Sequence, residues 1–301
     1  MPILTRLEAL RAGAAAQPIT FDAVPTVPVP ADPDPISAAT LAEIVRRYRR
    51  HGFALAQFPS GPWTERTVER LAAGLGLGEP FVPPLYTRGG YASSAVSRIG
   101  APADGAASTD QHPHFETTVG QELHCDGTLQ EIGEVRSAIL LCQSQGVDGG
   151  TTTLFNAHGA FTELLDADPE AARALTARGV LVRRATFNGS SETRETPAFT
   201  VHEGQLVCRY CVDATDRWAV PPGGDADAIG RGTEFLHRAR QIGSRYVRRI
   251  DLVAGQALVM DNTRISHGRD AYRDGPGRRR CLLRSLHLHH PRHAGTDDDD
   301  R

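Results

Sequence analysis

The chain has 301 residues, is 40% hydrophobic and carries a formal net charge of -3. That balance excludes a general electrostatic attraction to nucleic acid and leaves enough apolar material for a sizeable core. All 33 basic residues are arginine and lysine is absent, which excludes a pyridoxal Schiff base, a lysine nucleophile and a P-loop lysine.

Residues 1 to 36, with the proline-rich "DAVPTVPVPADPDPI", read as an extended lead-in. "SAATLAEIVRRYRRHG" has a serine cap, helical apolar spacing and a terminal Gly52. A short strand, "FALAQFP", and a second helix, "WTERTVERLAAGLG", follow. Residues 84 to 121 are Gly-, Ala- and Ser-rich without periodicity, and so long a loop in a compact domain is usually functional or mobile. From residue 122 short strands dominate. They include "VRSAILLCQ", "TTTLFN", "VLVRRATFN", and "AFTVHEG" joined to "QLVCRYCV" by a tight Glu-Gly turn. Helical patterns interrupt them at "AHGAFTELLDADPEAARALTARG" and "DADAIGRGTEFLHRAR", where His158 and His237 read as surface groups. "SRYVRRIDLVAGQALVMDNTRISHGRDAY" gives two or three strands with a Gly turn and leads to a last one, "RRRCLLRSLHLHH", and the tail 293–301 is an acidic run expected to be disordered. The predicted fold class is mainly β with helical decoration: one domain over 37–292.

Five cysteines in a chain of this length do not suggest a secreted disulfide framework, and the lone pair Cys208 and Cys211 lacks the second pair that a zinc site wants. No apolar run approaches the ~18 residues needed to cross a bilayer, and the N-terminus does not read as a signal peptide. A cytoplasmic protein with reduced thiols is expected.

The stretch "ELHCDGT" carries the first chemical signal. Side chains at i and i+2 of a strand share a face, so His124 and Asp126 can aim at one point while Cys125 aims away. One more histidine would complete a facial triad for a divalent metal. His267, about 140 residues further on, follows an apolar strand and an Asp-Asn turn. Arg280 lies thirteen residues beyond it and Arg284 four beyond that, on one strand face with Leu282.

These segments together resemble the Fe(II)- and 2-oxoglutarate-dependent oxygenases of the taurine dioxygenase (TauD/TfdA) family. The resemblance rests on "RRHGFALAQFP", "LHCDGT", "GGTTTLFN", "MDNTRISHGRDAY" and "RRRCLLR", in that order, and spans about residues 38 to 290. It implies a double-stranded β-helix (jelly-roll) core. It implies Fe(II) on His124, Asp126 and His267, with the remaining positions for 2-oxoglutarate and O₂. It implies that Arg280 and Thr152 hold the far carboxylate of 2-oxoglutarate, with Thr151 and Arg279 as neighbouring alternatives. Arg284 would face the keto-acid end or an anionic substrate group. Asp261 and Asn262 would form a turn that orients the distal-histidine strand, without a chemical role. The implied reaction oxidises an unactivated C–H bond, most simply by hydroxylation, and releases succinate and CO₂. Desaturation, cyclisation and C–N or C–O cleavage use the same cofactors. The intact Asp126 argues against halogenation.

A zinc-dependent hydrolase built on His287, His289 and His293 is the competing enzyme class, although that cluster has no paired carboxylate. The substrate pocket is expected from residues 84 to 121, 188 to 197 and 211 to 218, with Arg98, His114, Asp213, Arg217 and Trp218 as candidate contacts. Arg88 and His112 lie in the same stretches. Their mixed charge suggests a small polar substrate. Amino acids, carrier-tethered amino acids, nucleosides and sulfonates all fit, and an amino acid or derivative in secondary metabolism is the reading preferred from sequence. No nucleic-acid or membrane partner is expected, and the oligomeric state is not legible.

Overall fold

The computed structural model describes residues 10–12, 20–25, 27–32, 34–84, 87, 95–101, 114–127, 129–187 and 190–293. In chain order these form strand β1 (Val29–Pro30), helix α1 (Ala38–His51), β2 (Phe53–Gln57), α2 (Glu65–Gly74), β3 (Ser97–Ile99), β4 (Gln121–His124) and β5 (Ser137–Ser144). Then come β6 (Asp148–Gly149), β7 (Thr152–Asn156), α3 (Ala157–Ala167), α4 (Pro169–Ala174), β8 (Leu181–Phe187) and β9 (Ser190–Thr196). The chain continues through β10 (Phe199–His202), β11 (Gln205–Cys208), β12 (Asp216–Trp218), α5 (Ala226–Ala239) and β13 (Val247–Ile250). It closes with β14 (Gln256–Asp261), β15 (Ile265–Arg269), β16 (Tyr272–Arg273) and β17 (Cys281–His287).

Local chemistry sets the boundaries. The Ser37 hydroxyl accepts the Thr40 N–H at 3.1 Å and starts α1, and Gly52 ends it with a left-handed φ of 78° and an N–H donated to Tyr48 O. The helical stretch after β7 breaks at Asp168, whose carboxylate caps Ala171 N ahead of Pro169. The β10–β11 hairpin turns through Glu203 and Gly204, both at positive φ, as the Glu-Gly turn requires. Residues 190 to 196 were expected in a pocket loop. They pair instead along the whole of β8.

A six-stranded sheet (β1-β2-β14-β5-β17-β3) faces a four-stranded one (β13-β7-β15-β4). Phe53, Leu55, Leu140, Leu258, Met260, Leu282 and Leu286 of the first share one buried cluster with Leu154 and Ile265 of the second. The outer face of the large sheet packs Ile139, Leu141, Val259 and Leu283 on α1 and α2. Behind the small sheet Leu123 and Phe155 pack on α3, α4 and α5, and here His158, expected at the surface, is buried. Phe21, Val24 and Val29 of the expected lead-in are also buried in these clusters. The tail beyond residue 293 lies outside the described residues. Among the described residues no helix is long and apolar enough to cross a membrane.

Gly255 immediately precedes β14 at φ +84°, with its N–H on Cys142 O and its carbonyl accepting from Phe58 N. A Cβ there would stand 2.5 Å from Phe58 O and 2.8 Å from the Trp63 ring. Gly255→Ala is expected to lose about 1–3 kcal/mol, read from the urea midpoint at unchanged m-value.

Candidate active site

The small sheet assembles the site by register. His267 on β15 pairs with His124 on β4 and with Leu154 on β7. Paired residues of antiparallel strands point to the same side. Leu154 points between the sheets, so both imidazoles do too, with ring centroids 4.4 Å apart. Asp126 follows β4 by two residues and joins them. Ligand-capable atoms of His124, Asp126 and His267 all lie within 4.8 Å of one another, the one such group found among the described residues. Cys125 points the opposite way, as alternation predicts. It is buried, its N–H meets Cys211 Sγ at 3.2 Å, and its thiol lies 3.5 Å from Ser266 Oγ.

The hydrogen bonds leave a consistent donor set for a metal. His124 Nδ1 lies 2.8 Å from the Glu122 carbonyl. A carbonyl only accepts, so the proton sits on Nδ1 and the Nε2 lone pair is presented. Asp126 Oδ1 accepts from Arg284 Nη1 at 2.8 Å. Asp126 Oδ2 is buried, has no donor among the described residues, and lies 3.6 Å from His267 Nε2. Burial opposes the Asp126 charge, but Arg284, His267 and His124 outweigh it and hold the carboxyl below the ordinary range. Burial first, then His124, pushes His267 down to about 3, so it is neutral at physiological pH, the form that ligates. Two imidazole nitrogens and one orphaned carboxylate oxygen are the set that suits a non-haem Fe(II) site with open positions.

Asn262 fixes the carboxylate's backbone. Its Oδ1 accepts Asp126 N at 2.8 Å, and its Nδ2 donates to Asp126 O at 3.1 Å and Val135 O at 2.8 Å. The expectation that the Asp-Asn turn only orients the distal-histidine strand was too narrow, because Asn262 crosses to the motif itself. Asp261 does keep the turn, accepting Thr263 N and Oγ1.

On the facing sheet Leu282 and Leu286 point inward while Cys281 and Leu283 point toward α1 and α2. Arg284 shares the inward face and is buried against Asp126. Arg280 is buried as well, and its Nη1 has no acceptor among the described residues. It lines a cleft of about 400 Å³ together with Cys142, Gly150, Thr151, Leu252 and Leu282. None of the three converging residues lines that cleft. Arg279 instead donates to Ala101 O. Thr152 is buried on the face of Leu154, whereas Thr151 donates outward to Asp251 at 2.5 Å.

The candidate substrate contacts divide. Asp213 accepts Thr215 N at 2.8 Å and Thr215 Oγ1 at 2.5 Å. Burial works against its charge, but Thr215 and then His124 hold the carboxyl below the usual range. Arg98 does not approach the metal group. That side chain is 61% exposed on the sheet edge, bonded to Gln143 and 4.0 Å from Glu65. Arg217 is exposed, since its neighbours Asp216 and Trp218 take the inward positions of β12. Trp218 spends its N–H on Cys211 O and packs on the core beside Tyr210. His114 opens a short 3₁₀ turn, but its side chain, like Arg88 and His112, lies outside the described residues. The histidine cluster of the competing reading does not converge as a metal group among the described residues. His287 is a core residue of β17, its Nε2 2.8 Å from Ser285 Oγ.

Asn262→Ala would strand Asp126 N and Val135 O and cost roughly 2–4 kcal/mol. It should also weaken metal binding about 10–100-fold, measured by Co(II) titration of the folded variant. Gly150→Ala tests the cleft. A Cβ at this φ of +79° would meet Arg280 Nε at 2.8 Å, so 2-oxoglutarate affinity should fall by about tenfold with the metal affinity kept.

Known proteins supply the context for this geometry. The family model "Taurine catabolism dioxygenase TauD, TfdA family" matches residues 16–286. A uridine-5'-phosphate dioxygenase of an Amycolatopsis species is 40% identical over 257 residues, covering 83% of this chain and 90% of the relative. One of a Streptomyces species is 36% identical over 250 residues, covering 80% and 87%. Among solved structures, the non-heme iron oxygenase OrfP in complex with Fe and alpha-ketoglutaric acid superposes with a TM-score of 0.59 at 18% identity, covering 82% of this chain and 80% of that one. The chain belongs to the TauD/TfdA family and is a 2-oxoglutarate-dependent non-haem iron dioxygenase.

Proposed function

We propose that the enzyme oxidises a C–H bond of uridine 5'-phosphate or a closely similar pyrimidine nucleotide, most simply by hydroxylation, with release of succinate and CO₂. The observation that carries this reading is the 40% identity to a uridine-5'-phosphate dioxygenase along nine-tenths of its length. A nucleotide fits the small polar substrate expected from sequence and replaces the amino acid preferred there.

In this reading His124, Asp126 and His267 hold Fe(II), which supplies the oxygen-activating chemistry when bound. Arg284 offsets the charge on Asp126 Oδ1 and leaves Oδ2 to the metal. Arg280 takes the far carboxylate of 2-oxoglutarate through its unpartnered donor, and the buried Thr152 hydroxyl is the second contact in this reading. Asp213, whose carboxyl feels the charge of His124, is a candidate for orienting the substrate. The two facing sheets suit the double-stranded β-helix of a single catalytic domain over 37–292, to which β1 and the buried Phe21 and Val24 add part of the preceding segment. The five unpaired cysteines accord with a cytoplasmic enzyme.

Anaerobic addition of Fe(II) and 2-oxoglutarate should give a weak visible charge-transfer band. His124→Ala should abolish it, and Arg280→Ala should weaken 2-oxoglutarate binding roughly ten- to hundredfold. With oxygen, succinate formation should depend on uridine 5'-phosphate and not on free amino acids. Turnover with amino acids alone would sink the nucleotide reading and spare the metal assignment. A missing band would sink the ligand assignment itself.

A further inference from the structure

Arg269 has no part in the site described so far. It lies two residues beyond His267 on the same inward face of β15, and its register partner is Thr152. It is 6% exposed. Nη2 donates to the carbonyls of Thr117 at 3.0 Å and Val119 at 2.5 Å. Nε and Nη1 are buried and find no acceptor among the described residues, and no carboxylate there forms an ion pair with this guanidinium.

A second buried guanidinium stands nearby. Arg269 and Arg280 lie 4.8 Å and 5.1 Å from the centroid of one ring, that of Tyr272. Guanidinium has five donors and no acceptor, and burying such a group without an anion is costly. The fold carries two of them on the metal-facing side. The far carboxylate of 2-oxoglutarate, assigned above to Arg280, has acceptor sites enough for a second guanidinium.

We infer that Arg269 is a second anion-binding residue of this active site, receiving an anionic oxygen group of one of the enzyme's two organic ligands. Two ligands offer that chemistry: the far carboxylate of 2-oxoglutarate and the phosphate of the nucleotide. The inference rests on the function proposed above. The register pair Arg269–Thr152 favours the carboxylate, because Thr152 is the hydroxyl assigned to it.

The test compares wild type with Arg269→Gln. In one arm anaerobic Fe(II) protein is titrated with 2-oxoglutarate and with 2-oxobutyrate, which keeps the keto-acid and lacks the far carboxylate. In the other, KM and kcat are measured against uridine 5'-phosphate and uridine. Loss of about tenfold or more in 2-oxoglutarate affinity, with 2-oxobutyrate unchanged, assigns the carboxylate. A KM rise of that size for the nucleotide alone, with kcat and 2-oxoglutarate affinity kept, assigns the phosphate. Unselective weakening, or none, overturns the inference and leaves Arg269 as a clamp on Thr117 and Val119. Arg269→Lys keeps charge and reach and is read the same way should the glutamine variant not fold, with a selective loss of roughly threefold expected because the planar fork is gone. A wild-type protein that gives no band overturns the proposed function and this inference with it. A normal wild type beside unselective variants overturns this inference alone.

Discussion

The site depends on one register: His267 opposite His124 across β15 and β4. A strand slipped by one residue turns its whole side-chain set to the other face. A slip here would remove an imidazole from the metal side and bring Ser266 or Gly268 to it. The pairing is held from both flanks. On β7 the same His267 faces Leu154, whose side chain is buried in the inter-sheet core. Beyond the strand, Asn262 ties Asp126 by two hydrogen bonds to the turn that leads into β15. The hydrophobic pattern of the sheet and the metal geometry are therefore one constraint. Leu154 and Ile265 cannot be inside unless His267 is as well.

This coupling explains why so much of the site was legible. That His124 and Asp126 converge was legible because a period of two needs no tertiary knowledge. Arg280 and Arg284 read as inward for the same reason, with apolar Leu282 between them to mark the face. The helix caps at Ser37 and Asp168 and the Glu203–Gly204 turn were equally local signals. The pocket residues failed for the complementary reason. Loop polarity gives no direction, and in a chain whose basic residues are all arginine a guanidinium marks nothing by itself. Arg98 and Arg217 point to solvent. Trp218 is core, and residues 190 to 196 are strand. Asn262 read only as a turn residue, and Arg269 was passed over, because each acts across the fold: Asn262 on a backbone 136 residues away, Arg269 on carbonyls 150 and 152 away. Arg269 did carry a usable signal, since it shares the face of His267 at i+2.

Charge is then arranged around the carboxylate. Asp126 is buried with a single guanidinium on one oxygen. Leaving a buried carboxylate oxygen bare is expensive in an ordinary core. Here it is tolerated beside two imidazoles that a cation would engage at the same time. The orphaned oxygen, the depressed His267 and the Arg284 contact are facets of one design, in which Asp126 and His267 already have the protonation states that metal binding requires.

The arginines extend that order into the segments on either side of the motif. After Asp126, Arg183 reaches Gly127 O, Arg194 reaches Leu129 O, and Arg209 reaches Gln130 O and Glu131 O. Before His124, Arg269 reaches Thr117 O and Val119 O. Carbonyls in such irregular stretches have no ladder to satisfy them, and a planar fork of donors can serve two at once. Arg183 is in turn fixed by Asp216 through a fully buried pair, at 2.6 Å. Lysine, a flexible point charge, could not substitute in these roles without loss of geometry. The arginine-only composition, which says nothing at any single position, thus has a physical consequence in the fold. Irregular backbone next to the metal group is held by side chains from β8, β9, β15 and the residue after β11, and His124 and Asp126 inherit their placement from that scaffold.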